Sequence, residues 1–383
     1  MLNKYEVKKM TILFFLHRIG PYHDARFRAL GERINLIAVE TRPLSNEYPW
    51  DFEAKEKNYL AEKVLGGSKD KLREVVIELI KRYQPCSVIT TGWADPEYHT
   101  VILVASKFRL PRIIVSDSRY EDEPRVFYKE WIKRLILKSY SAALVAGTMS
   151  RNYLIQLGFD SASIFAPWDV VDNQYFLSHN VEECSFEKRD FLCVSRFIAK
   201  KNLSSLIEAF YYYRREGGKR KLLLLGSGEL ENELRHQVEK LEITHYVTFK
   251  GFVQYDVLPK FLSKSFCLIL PSITDQWGLV VNEAMASHIP VLVSNRCGCA
   301  IDIVRHGING YVFDPFKVET ITKSMMDMDN IGESTWNEMG RASADIIKQW
   351  DLDNFATGVI GAVERAIERG PLGPIKLVHN LLS

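Results

Sequence analysis

Residues 271–294, PSITDQWGLVVNEAMASHIPVLVS, set two carboxylates on either side of a glycine at a strand-to-helix turn. The apolar run Phe266-Cys267-Leu268-Ile269-Leu270 before the turn predicts a fully buried strand, and Pro290-Val291-Leu292-Val293 predicts another. Gly278 marks where the loop between them becomes a helix, which Leu279, Val280 and Val281 begin. Unsatisfied backbone N–H groups in that first turn, with the helix dipole, make an anion site at the carboxyl edge of a parallel sheet. Asp275 lies in the loop and Glu283 eight residues later on the helix. This layout suits a ligand with a diphosphate in its middle and hydroxyls at both ends, which describes a nucleotide sugar.

Other candidate residues carry weaker chemistry. Residues 221–225 predict a buried strand, and Gly226-Ser227-Gly228 a tight turn into a helix over 229–242. A G-x-G so placed lines a nucleotide site with backbone. Asp327 and Asp329 form a D-x-D, but inside a helical stretch rather than after a strand, so they read as solvated surface and not as a metal site. Cys297 and Cys299 lack a second ligand pair, and a tight turn is the better reading. The six cysteines are scattered, as expected of reduced thiols in a cytoplasmic protein.

The elements that must position these groups alternate between strand and helix patterns, which predicts an α/β protein with parallel sheets. At 383 residues the chain exceeds one ordinary core and fits two domains. Thr11–Leu16, residues 35–39, residues 87–90, Arg112–Ser116 and residues 142–146 predict strands, and residues 71–83 an amphipathic helix. Thr11–Leu16 is far too short to span a bilayer and is not followed by a cleavage site, so it reads as a first strand. A hydrophobic content of 46%, a charged content of 26% and a net charge of +2 describe a soluble globular enzyme and give no polyanion-binding signal.

The pattern PS-x-x-D-x-x-GLV-x-x-EAMA-x-x-x-PV resembles the signature of the retaining GT-B glycosyltransferases of family 4. The likeness extends from about Phe191 to about Pro315. In that family the first acidic position is usually glutamate; Asp275 keeps the charge and shortens the reach by one methylene. The resemblance implies two Rossmann-like domains facing each other across a cleft: residues 1–178 on the acceptor side, 179–353 on the nucleotide-sugar side, and 354–383 as a C-terminal helix crossing back to the first domain. It implies a hinge entry over 169–176, continued by a polar linker to Lys188. It implies no cofactor and no metal, with a UDP-sugar, or alternatively a GDP-sugar, as donor.

Residue roles follow from the same resemblance. The family's G-R-x-x-x-x-K loop puts Arg196 and Lys201 on the donor diphosphate, where fixed cations stabilise charge gathered by the departing group. Asp275 is assigned to the sugar hydroxyls, Glu283 to the ribose, and the amides of Gly278, Leu279 and Val280 to phosphate oxygens. Gly226 and Gly228 line the nucleotide, and Phe252 or Val253 contacts the base, with a core role for Phe252 equally open. On the acceptor side, loops at 18–24, 92–95 and 117–124 reach one sheet edge. Asp117, His23 and His99 are the candidates for the position near the reacting carbon. Only Gly20-Pro21 stands where most members carry Gly-Gly.

Residues 128–140, YKEWIKRLILKSY, run from Tyr128 to Tyr140 and mix apolar residues with Lys129, Lys133 and Arg134. They read either as a helix meeting anionic lipid at the inner face of the membrane or as a packed helix with a solvated basic face. The expected activity is sugar transfer to a glycan, lipid-linked or small-molecule acceptor in bacterial surface polysaccharide assembly. The rivals are a silent nucleotide-sugar-binding subunit and another GT-B enzyme such as a sugar-nucleotide epimerase. No nucleic-acid partner is expected.

Overall fold

Uninterrupted apolar runs form the inner strands of two parallel sheets, because a strand covered by helices on both faces has no polar side to show. The computed structural model describes residues 10–42, 57–64, 69–178 and 184–373. Residues 179–183 of the expected linker and 374–383 of the expected last segment lie outside the described residues. The described chain divides into two compact units, one up to Val170 plus the part from Leu352 onward, the other Val171–Asp351.

In the first unit the order is β1 (Thr11–Leu16), α1 (Pro21–Gly31), β2 (Asn35–Glu40), β3 (Leu60–Lys63), α2 (Lys69–Tyr83), β4 (Ser87–Thr91) and α3 (Pro96–Lys107). Then come β5 (Arg112–Ser116), α4 (Phe127–Leu137), β6 (Ala142–Val145), α5 (Thr148–Gln156) and β7 (Ile164–Phe165). The sheet order is β3-β2-β1-β4-β5-β6-β7, with every pairing parallel. Proline at the first position starts α1 and α3, where its missing N–H costs nothing.

The second unit runs α6 (Asn173–Ser178), β8 (Asp190–Val194), α7 (Leu203–Arg215), β9 (Leu222–Leu225), α8 (Glu231–Lys240), β10 (Val247–Gly251), α9 (Leu258–Leu262) and β11 (Ser265–Leu270). It continues with α10 (Leu279–Ala286), β12 (Val291–Ser294), α11 (Ala300–Ile303), β13 (Gly310–Phe313), α12 (Val318–Asp329) and α13 (Glu333–Ile347). Its sheet order is β10-β9-β8-β11-β12-β13, again all parallel. The apolar side chains of β11, Phe266 to Leu270, are all buried, and Phe266, Leu268, Ile269 and Leu270 each stabilise the fold by about 1.5–3 kcal/mol over exposure. The last helix, α14 (Leu352–Arg369), belongs to the first unit, where Phe355 packs its ring on Trp168 and Gly358 meets the Ala166 carbonyl.

Two surface assignments are corrected. Asp329 is not solvated: it accepts from Arg220 Nε at 2.7 Å and Tyr213 OH at 2.5 Å, and Arg220 lies buried over the Phe266 ring. Only Asp327 sits at the surface, paired with Lys323. Lys133 does not supply a solvated basic face either. Its Nζ turns inward to Glu130 at 3.0 Å and Tyr153 OH at 2.9 Å, over the Trp93 and Tyr153 rings.

Candidate functional site

In the second sheet the strand order reverses between β8 and β11, and a parallel sheet opens a crevice at its carboxyl edge where that happens. The loops leaving those two strands are 195–202, with Arg196 and Lys201, and 271–278, with Asp275 and Gly278. The topology thus brings together groups that stand over seventy residues apart in sequence.

Backbone and one asparagine hold the two loops in register. Ile273 N donates to Lys200 O at 3.0 Å. Asn202, in the left-handed region at φ 56°, donates from Nδ2 to Pro271 O at 3.2 Å and to Pro315 O at 2.9 Å. Asparagine tolerates that conformation, so it can end the Lys201 turn, start α7 and staple the neighbouring loop at once. Across this frame Lys201 Nζ meets Asp275 Oδ2 at 2.5 Å, with both side chains only 14% exposed. Arg196 is exposed at the rim of the same loop.

Gly278 caps α10 at φ 102°, and a methyl there would fall 2.7 Å from the Leu270 side chain. Only glycine turns this tightly from β11 into the helix. The first-turn amides of Leu279 and Val280 follow, without i−4 partners. Buried Trp277 steadies the turn by donating from Nε1 to Asn282 at 2.8 Å and stacking on Trp350. Glu283 lies buried on α10.

Gly226 and Gly228 sit at the same edge, after β9. Their Cβ positions are taken by the backbone of Ser195 and Phe197, so both glycines let the two turns touch. Phe197 N donates to Ser227 O at 2.9 Å across that contact. Phe252 follows β10 and is 39% exposed, which excludes the core role; Val253 beside it is half-buried.

The remaining candidates belong to the first unit. Asp117 follows β5 and is half-buried. His99, in the first turn of α3, has Nε2 at 2.7 Å from Trp93 O, which fixes the proton on that nitrogen. His23 packs its ring between Phe27 and Trp168, and burial, then the Arg26 charge, push its pKa down to about 3. One cluster escaped the sequence reading. His17 Nε2 stands 3.5 Å from Asp95, which Arg42 holds at 2.9 Å while also binding Glu97 at 2.7 Å. The hydrogen bond from Arg42 holds the Glu97 carboxyl below its usual range and raises the guanidinium's own pKa. All four residues follow strands β1, β2 and β4 at the carboxyl edge, and that shared placement was the available signal.

Two parallel sheets of Rossmann-like order, with charged loops on their carboxyl edges, define the GT-B class of fold. Over residues 178–340 the chain matches the family described as glycosyl transferases group 1. It is 28% identical over 186 residues to an uncharacterized glycosyltransferase of Methanocaldococcus jannaschii, covering 48% of this chain and 46% of that one. It is 27% identical over 178 residues to a GDP-mannose-dependent alpha-(1-6)-phosphatidylinositol monomannoside mannosyltransferase of Mycobacterium tuberculosis, covering 44% and 46%. The chain spans about half the length of these curated relatives. The structure of the Anabaena protein HepE in complex with UDP superimposes with a TM-score of 0.71 at 15% identity, covering 92% of this chain and 98% of that one.

Proposed function

We propose that this chain is a retaining, metal-independent glycosyltransferase that moves a sugar from a nucleotide-sugar donor to a glycan or lipid-linked acceptor in surface polysaccharide assembly. The observation that carries the reading is the Lys201–Asp275 pair at the reversal point of the second sheet, beside the open amides of α10. Lys201 and Arg196 neutralise the departing diphosphate, and the Leu279 and Val280 amides take its oxygens. Lys201 occupies Asp275 Oδ2, while Oδ1 makes no hydrogen bond among the described residues and serves the donor sugar's hydroxyls. Glu283 serves the ribose, and Phe252 or Val253 the base. The bond from the anomeric carbon to the diphosphate breaks with its electron pair on the phosphate oxygen. The acceptor oxygen bonds on the same face and hands its proton to that phosphate, so no separate base is required.

UDP in HepE and GDP-mannose in the mycobacterial relative support a UDP- or GDP-sugar, and the lipid acceptor in that relative's name supports a lipid-linked one. Among the described residues no helix is long and apolar enough to cross a membrane. The exposed side of α4 offers a surface contact instead. Phe127 is 86% exposed, with Tyr128, Trp131, Lys129 and Lys138 also exposed nearby. The test is release of free nucleoside diphosphate from UDP-, GDP-, ADP- and dTDP-sugars in the presence of EDTA, together with thermal shifts for each. Turnover of one donor is expected. Binding without release would make the chain a silent subunit, and a changed sugar still on its nucleotide would make it an epimerase.

A further inference from the structure

The amino edge of the second sheet, opposite the charged loops, carries a separate pocket of about 390 Å³. Arg189 lines it just before β8, His288 just after α10, and Ser334, Trp336, Asn337 and Arg341 from α13. No aspartate or glutamate is among its lining residues. Arg189 is half-buried and prearranged. Its Nη1 donates to Ser263 O at 2.5 Å and Ser265 O at 3.2 Å, and its guanidinium lies 4.7 Å over the Trp336 ring. Trp336 is fixed in turn by Nε1 donating to Phe266 O at 2.6 Å.

Neither cation of this pocket is neutralised. Arg189 and Arg341 make no ion pair among the described residues, and burial lowers the Arg189 pKa. The carboxylates that act on its residues lie outside the lining. Glu333 acts on Arg189 from the start of α13, and Asp345, near His288, is paired with Lys348 at 2.7 Å. A half-buried guanidinium with no ion-pair partner in contact is costly, and an anion that enters lowers the cost. The first turn of α13 favours that anion and the end of α10 opposes it, so the two arginines decide the sign.

We propose that this pocket binds a phosphate monoester of sugar size. Two guanidinium groups match a phosphate dianion, and Asn337, Ser334 and His288 supply neutral donors around it. The volume lies in the range of small-molecule sites and leaves room for a body beyond the phosphate.

The test is thermal unfolding of the full chain with inorganic phosphate, glucose 6-phosphate or glucose, in the wild type, Arg341→Gln and Lys201→Ala. Glucose 6-phosphate should raise Tm at lower concentration than inorganic phosphate, and glucose should not raise it. Arg341→Gln, exposed and unpaired, should unfold like the wild type without ligand and need roughly tenfold more ester for the same shift. Lys201→Ala should keep the shift. A shift kept in Arg341→Gln but lost in Lys201→Ala puts the anion on the opposite edge and overturns the proposal. No shift with either phosphate also overturns it, and inorganic phosphate binding as tightly as the ester overturns the ester.

Discussion

Lys201 and Asp275 share one hydrogen bond and little water, so each leaves the other with an uncompensated charge when removed. A double-mutant cycle with Lys201→Ala and Asp275→Ala in urea should show a coupling of about 0.5–3 kcal/mol. Additive losses would mean the pair adds nothing to the fold. Turnover should fall roughly a hundredfold or more in Lys201→Ala, beyond what its stability loss explains. Asp275→Asn should impair transfer while nucleoside diphosphate still binds. His23 gives a pH signature. Its folded pKa of about 3 lies below the value of about 6.5 expected in the unfolded chain. The unfolded state holds the extra proton between those values, so this contribution is whole above about 6.5 and is lost as pH falls towards 3. His23→Phe keeps the ring contacts without titrating, and its Tm should drop less than the wild type's from about pH 7 to about pH 4. Equal drops would mean His23 does not titrate as described. At this scale the sequence exposed the candidates but not their partners. Arg196 and Lys201 share one loop and are legible by spacing. The lysine's meeting with Asp275 depends on two strands being neighbours, as does Asp329 turning to Arg220.

Elements were legible where the pattern was long and apolar. The inner strands and the turn at Gly278 follow from runs of buried residues and one glycine. The short strands β3 and β7 did not, because LAEK is half-exposed and IF is two residues long; each exists only through its neighbour in the sheet. Gly226→Ala and Gly251→Ala separate two uses of glycine. Both have positive φ, but only at Gly226 would the methyl overlap another backbone, at the Ser195 carbonyl. Gly251→Ala should cost about 1–2 kcal/mol of local strain, and Gly226→Ala distinctly more, read as the lower Tm. Equal values would mean the two turns do not touch. Helix α4 is tested on vesicles. Co-sedimentation with anionic lipid should weaken as salt rises, and weaken further when Lys129 and Lys138 become Gln together. Lys133 belongs to no such test, since it is tied to Glu130 and Tyr153. No sedimentation at low salt would favour a soluble acceptor.

For the whole molecule, two similar sheets follow one another in the chain, yet the units are not simply consecutive. The second is continuous from Val171 to Asp351, while the first is finished by α14. That helix buries Phe355, Ala356, Val359, Ala362, Val363 and Ala366, and Arg33 reaches Asp353 at 2.7 Å. A ribosome delivers those residues only after the whole of the second unit. During synthesis the second unit has its full sequence before the first does, and the surface that α14 will cover stays open to water throughout. The first unit therefore completes its core only after the second has been made, and it needs protection from aggregation for that long.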